Sequence, residues 1–119
     1  MTETLPLQQL VLSALDDMKA RDVSTLDVRS LTSIADTMIV ASGTSGRHVK
    51  ALADHVAEQA KKAGYAVLGM EGEQAAEWVL VDLGDVIVHV MQGATREYYD
   101  IERLWKDLSP ATRHTRGEH

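Results

Sequence analysis

A single α/β domain, with a mixed sheet of about five strands flanked by helices, is the fold class that the sequence predicts. Three observations predict it. Near the N terminus Leu7, Leu10, Val11, Ala14, Leu15 and Met18 recur at helical spacing. Short runs rich in branched residues follow, VSTLDV, DTMIVASG, YAVLGM, WVLV and VIVHVM, which suit strands. Their order, with a glycine-bearing turn and a helical stripe between DTMIVASG and YAVLGM, reads as a parallel βαβ crossover followed by a strand pair. The 119 residues fit one domain, with residues 1–108 as the folded unit and 109–119 as a frayed tail that has almost nothing to bury.

Each element has a local reason. The first helix is predicted over Pro6 to Lys19, proline suiting the first turn. VSTLDV is a short β-prone run, and RSLTSIA is a polar turn before DTMIVASG, a strand that Gly43 ends. The stretch GTSGRH opens a second helix whose inward face is Val49, Leu52, Ala53, Val56, Ala60 and Ala63, with Gly64 just past its end. WVLV and VIVHVM carry apolar residues on both faces, so both strands are expected to be largely covered. Asp82, Leu83, Gly84 and Asp85 join them as a hairpin turn in which Gly84 supplies the positive φ. Thr95 is the expected N-cap of a third helix.

Charge and composition narrow the function. The chain has a formal net charge of −6 and no cysteine, which excludes a disulfide framework, thiolate catalysis and cysteine-ligated metal sites. An acidic chain is a poor match for a phosphate backbone, so no nucleic-acid partner is expected. MTETLPLQQL has neither a basic region nor a continuous apolar core, and no run approaches ~18 apolar residues, so cytoplasmic residence is expected and a membrane is not. Residues 71–107 hold the acidic excess, nine carboxylates against Arg96, Arg103 and Lys106, together with Trp78, Tyr98, Tyr99 and Trp105. Apolar strands, aromatic anchors and unbalanced acid suggest a surface that meets something basic.

Four constellations bear on chemistry. Gly43-Thr44-Ser45-Gly46-Arg47 could hold a phosphate at a helix start, but it is neither a Walker A loop nor GxGxxG, and a tight turn capped by Thr44 or Ser45 explains it as well. Asp82, Asp85 and Glu77 near His89 resemble a metal-binding carboxylate set only loosely. The two aspartates sit across a turn, and no Asp-x-Asp or Asp-x-Glu pair lies on either strand. His48 and His55 are about 10 Å apart along a helix, too far to share a metal, and are expected to be solvated. His89 lies on the strand face of Ile87 and Met91, where it must either find a partner or face solvent, and a satisfied sheet histidine is expected over a catalytic base because no nucleophile stands beside it. Trp78 and Trp105 are expected to be at least partly buried, and one of Tyr98 and Tyr99, about 100° apart on a helix, should be exposed or at an interface.

The chain resembles the Iojap family of ribosomal silencing factors. The resemblance is carried by Asp36-Thr37-Met38-Ile39-Val40, Gly43-Thr44-Ser45-Gly46-Arg47-His48-Val49, and Glu71-Gly72-Glu73 ahead of Glu77-Trp78. It continues through Val81 to Met91 as VDLGDVIVHVM, then Arg96, Tyr98-Tyr99-Asp100 and Leu104-Trp105. Gly46 stands where the family pattern has Ser, a departure expected to loosen the turn. The resemblance implies a nucleotidyltransferase-like topology without catalytic carboxylates, and a translation repressor with no catalytic residue, cofactor or metal. It implies binding to ribosomal protein fourteen of the large (50S) subunit, where the factor blocks joining of the small subunit, and possible homodimers. Glu73, Trp78, Asp82, Asp85, His89, Arg96, Tyr98 and Tyr99 are the partner-contact candidates. The alternative reading is a metal-dependent nucleotidyl or phosphoryl transferase using Arg47, the Gly43 to Gly46 turn and Asp82 or Asp85.

Overall fold

The computed structural model describes residues 4–103. Its elements are α1 (Thr4–Asp17), β1 (Arg21–Asp27), β2 (Thr37–Gly43), α2 (Gly46–Lys62), β3 (Gly69–Glu71), β4 (Trp78–Asp82), β5 (Val86–Gln92) and α3 (Gly93–Tyr99). The five strands form one mixed sheet in the order β1-β2-β5-β4-β3. Only β2 and β5 pair in parallel, with Thr37 opposite Val86 through Gly43 opposite Gln92; the other three pairings are antiparallel. Expectations for Leu104, Trp105, Lys106, Asp107 and the tail lie outside the described residues.

The centre of the sheet is its most apolar part. Every residue of β2 is buried, and so are five of the seven in β5, as expected for strands with a neighbour on each side and cover on both faces. One face packs under α1 and α2, whose Leu7, Val11, Leu15, Val49, Leu52 and Val56 meet Ile39, Ala41, Val79, Val81, Val88 and Val90. Each fully buried Val or Leu contributes roughly 1.5–3 kcal/mol of transfer free energy, so this layer is the main source of stability. The opposite face carries a smaller cluster of Val28, Met38, Val40 and Met91, with Leu26, Trp78 and Ile101 packed against it.

Several local expectations hold. Ser45 caps α2, its hydroxyl accepting from the His48 amide at 3.1 Å. A Cβ at Gly46 would find Ala76 and Gln92 at 3.4 Å, ordinary contact distance. The Ser45 cap closes this turn with Gly46 as the first residue of the helix. Gly84 has φ of 88° in the β4–β5 turn. α2 ends with Gly64 donating to Lys61 and Tyr65 to Ala60, the paired bonds of a Schellman motif, with Gly64 in the left-handed position.

Other expectations are corrected. α1 stops at Asp17 because the same Schellman bonds form there, Lys19 to Asp16 and Ala20 to Leu15. They put Lys19 at φ 61°, a conformation that a glycine normally takes. YAVLGM yields a strand only over Gly69–Glu71, paired antiparallel with β4 at the sheet's far edge. β3 does run in the direction of β2, but β5 and β4 stand between them. Thr95 lies inside α3; the N-cap is Gln92, without a side-chain cap bond. His48 and His55 are only partly exposed, and each has a protein partner in place of solvent alone. His48 accepts from the Thr44 amide on Nδ1 at 2.9 Å and donates from Nε2 to the Met18 carbonyl at 2.8 Å, and His55 Nε2 reaches Asp17 at 3.2 Å. Both rings therefore fasten α2 to the end of α1.

The two Schellman sites make opposite predictions. Gly64→Ala should destabilise by about 1 kcal/mol, because it puts a Cβ at φ 92°. Lys19→Gly should stabilise by a few tenths to about 1 kcal/mol, strain relief outweighing the added unfolded-state entropy. Urea melts of the two variants measure both, and equal signs would mean that the left-handed positions do not govern the helix ends.

Candidate functional site

Alternation along the strands decides what the face opposite α1 and α2 displays. Trp78, Leu80 and Asp82 of β4 point there, as do Ile87, His89 and Met91 of β5 and Met38, Val40 and Ser42 of β2, in register with one another. A transverse row thus runs from Glu71 through Leu80, His89 and Val40 to Ser24. Trp78 stands diagonal to His89, within reach of a large side chain. The indole Nε1 donates to His89 Nδ1 at 2.9 Å, which leaves the imidazole hydrogen on Nε2.

That bond begins an aromatic ladder. Trp78 lies 5.8 Å from the His89 ring and 5.0 Å from Tyr99, both tilted, and Tyr98 meets Tyr99 edge-on at 4.9 Å. Such contacts are favoured by ring quadrupoles. The ladder climbs from the core to solvent: His89 is buried, Trp78 is partly buried, and Tyr99 and Tyr98 are 55% and 82% exposed. Both tyrosines are therefore outside, which meets and exceeds the expectation that at least one would be. Burial lowers the His89 pKa to about 4, so the ring is neutral near pH 7 and too weak a base for proton transfer there. It is the satisfied sheet histidine that its neighbours suggested.

The remaining contact candidates separate. Glu73, partly exposed, lies in the turn after Gly72, where φ is 89° and a Cβ would fall 2.1 Å from the Trp78 carbonyl oxygen. This close approach is open only to glycine, and it sets the entry into β4. Asp82 is at the other end of β4, about 13 Å from Trp78 along the strand. Its carboxylate accepts from the Gly84 amide at 2.9 Å, a turn-forming role. Asp85 is exposed at the hairpin tip while its carbonyl takes the Asp36 and Thr37 amides at 2.9 and 3.1 Å. Among the described residues no three of His, Cys, Asp and Glu gather as they would around a metal.

Arg96 is mostly inside, its side chain 13% exposed. The guanidinium takes both oxygens of Glu102, at 2.8 and 2.9 Å, and donates to Ser42 Oγ at 2.8 Å and Ser24 Oγ at 3.4 Å. Ser24 also donates to Glu102. Sequence reasoning missed Ser24, Ser42 and Glu102. The available signal was Ser42, a hydroxyl at the end of an otherwise apolar strand, where it needs a partner. An apolar pocket of about 90 Å³ was also unforeseen; Val28, Met38 and Ile87 line it beside exposed Ile34.

Comparisons with known proteins agree on a family. Residues 2–118 match the model of the family described as ribosomal silencing factor during starvation. The chain is 50% identical over 109 residues to the ribosomal silencing factor RsfS of Chromobacterium violaceum, covering 92% of this chain and 89% of that protein. A crystal structure of a protein from the same organism superposes with a TM-score of 0.84 at 51% identity, over 86% of this chain and 85% of the other. More distantly, it is 31% identical to a mouse protein named mitochondrial assembly of ribosomal large subunit protein 1, over 81% of this chain and 43% of the mouse protein.

The buried imidazole predicts an acid limit. Unfolded, His89 titrates near 6.5; folded, near 4. Between those values the unfolded chain binds a proton that the folded one refuses, so stability is intact above pH 6.5 and falls toward pH 4. The loss approaches the order of 3 kcal/mol. His89→Gln keeps an acceptor for Trp78 and removes the titration, so its urea midpoint should change less between pH 6.5 and 4.5 than that of the parent. Parallel pH profiles would contradict a neutral buried ring.

Proposed function

The chain belongs to the ribosomal silencing factor family, a regulatory and non-enzymatic one, and from that premise we propose that it represses translation by binding the large ribosomal subunit and blocking its union with the small one. The docking surface is the outer end of the ladder, Tyr98, Tyr99 and the edge of Trp78, flanked by Glu73, with Asp82 and Asp85 at the far end of the hairpin. His89 and Arg96 support it from within. The observation that carries this reading is the pair of exposed tyrosines on a scaffold of buried partners, since rigid aromatic side chains are the residues that most often anchor an interface.

The partner we propose is ribosomal protein fourteen of the large subunit. A basic ribosomal surface is attracted by a chain of net charge −6, which speeds encounter and sets orientation, while the rings supply the lasting contacts. The name of the mouse relative, which concerns the large subunit, supports that choice of subunit. Blocking needs no chemistry, only occupancy of the site at cellular concentration. Cytoplasmic residence goes with a ribosomal partner, and no helix among the described residues is long and apolar enough to cross a membrane. A second copy of the chain is a competing occupant of the same rings, and sedimentation equilibrium of the free protein measures that competition.

The transferase alternative gains no support from this geometry. Asp82 is engaged by its own turn, and the Gly43 to Gly46 turn is closed by the Ser45 cap and the His48 ring.

Purified subunits test the proposal. The protein should co-sediment with large subunits and, at saturation, abolish joined ribosomes in a sucrose gradient; normal joining at saturation sinks it. Tyr98→Ala should weaken binding by roughly 1–2 kcal/mol, as for an interface anchor. Asp82→Lys should weaken it several-fold at ~0.1 M salt and flatten its salt dependence. Unchanged affinity in both variants would place the interface elsewhere.

A further inference from the structure

α3 has little of its own to hold it in place. It is seven residues long, has no fully buried residue and lacks a side-chain N-cap bond. A helix so short does not persist in water, because nucleation is unfavourable and few bonds follow it. Yet α3 carries both exposed tyrosines. Their value as anchors depends on being held in one orientation before the partner arrives.

We propose that the clip between Arg96 and Glu102 is the positioning device of this docking surface, fixing α3 so that Tyr98 and Tyr99 are presented ready-made, and that Arg96 acts through the clip without touching the partner. The proposal rests on the docking reading above. Its first ground is geometry. One planar guanidinium joins α3 to Ser42 on β2, to Ser24 on β1 and to Glu102 beyond the helix through four hydrogen bonds. Asp100, in the left-handed conformation at φ 47°, ends α3 and turns the chain so that Glu102 comes back to Arg96. Its second ground is charge. An arginine aimed at a basic partner would repel it, whereas Arg96 is 13% exposed and paired at two points with a carboxylate that is 24% exposed.

Affinity for purified large subunits at two salt concentrations, with amide hydrogen exchange of the free protein, tests this for Arg96→Met, Arg96→Lys, Glu102→Gln and the double variant Arg96→Met/Glu102→Gln. Each single change should weaken binding roughly tenfold, and the double no more than the worse single, as for two halves of one device. The salt dependence should stay that of the parent. Exchange should quicken at residues 93–99 while β2 and β5 keep their protection. Arg96→Lys should behave like Arg96→Met, since an ammonium cannot reproduce the fork. Glu102→Gln preserves size and carries the test if Arg96→Met does not fold. Additive losses, a flattened salt dependence with unchanged exchange, or parental affinity throughout would each overturn the proposal. Failure of the parent protein to bind large subunits would overturn the docking reading and with it the partner half of the proposal; the exchange measurement, which needs no ribosome, tells the two failures apart.

Discussion

The parallel pairing of β2 with β5 is the constraint from which the remainder of the molecule follows. Two strands that run the same way cannot be joined by a tight turn, so the chain between them must cross over, and it does so carrying α2, β3 and β4. Because β5 takes the place beside β2, the hairpin partner β4 is pushed outward and β3 becomes an edge. Both central strands end at the same margin, and from that margin α2 and α3 start, immediately after Ser45 and Gln92. Arg96 can reach Ser42 only because β2 and β5 finish level, Ser42 opposite Met91 and Gly43 opposite Gln92.

What was legible in the sequence was what depends on near neighbours. The stripe of α2 as far as Ala60, its Ser45 cap, Gly64 past its end and the Gly84 turn all follow from residues within one or two turns of each other, and the structure bears them out; Ala63, expected on the inward face, is exposed because the helix ends at Lys62 and Ala63 is its C-cap. YAVLGM failed for a different reason. Residues 65–68 must bring the chain from the Schellman turn to the sheet edge, and only Gly69–Glu71 find a partner strand. Propensity does not reveal how many residues a connection consumes.

The site divides along the same line. A hairpin with its turn at Gly84 places Trp78 diagonal to His89, so the bond between them is implicit in the predicted strands and their register. The clip was not implicit. Charge counting put Glu102 and Arg96 into one unbalanced acidic segment, whereas they neutralise each other, and the serines that complete the arrangement lie 54 and 72 residues away from Arg96. His48 and His55 show the same blindness, their partners belonging to the end of another helix.

The central pairing also bears on how the chain is made. Thr37 waits for Val86, roughly fifty residues later, and contacts of such separation form slowly. β2 is the strand with every residue buried in the finished fold, so a nascent chain holds its most completely buried strand without its parallel partner until β5 has also left the ribosome. During that interval TMIVASG is the stretch most open to aggregation. The molecule's own synthesis is thus most vulnerable where its final structure is most secure.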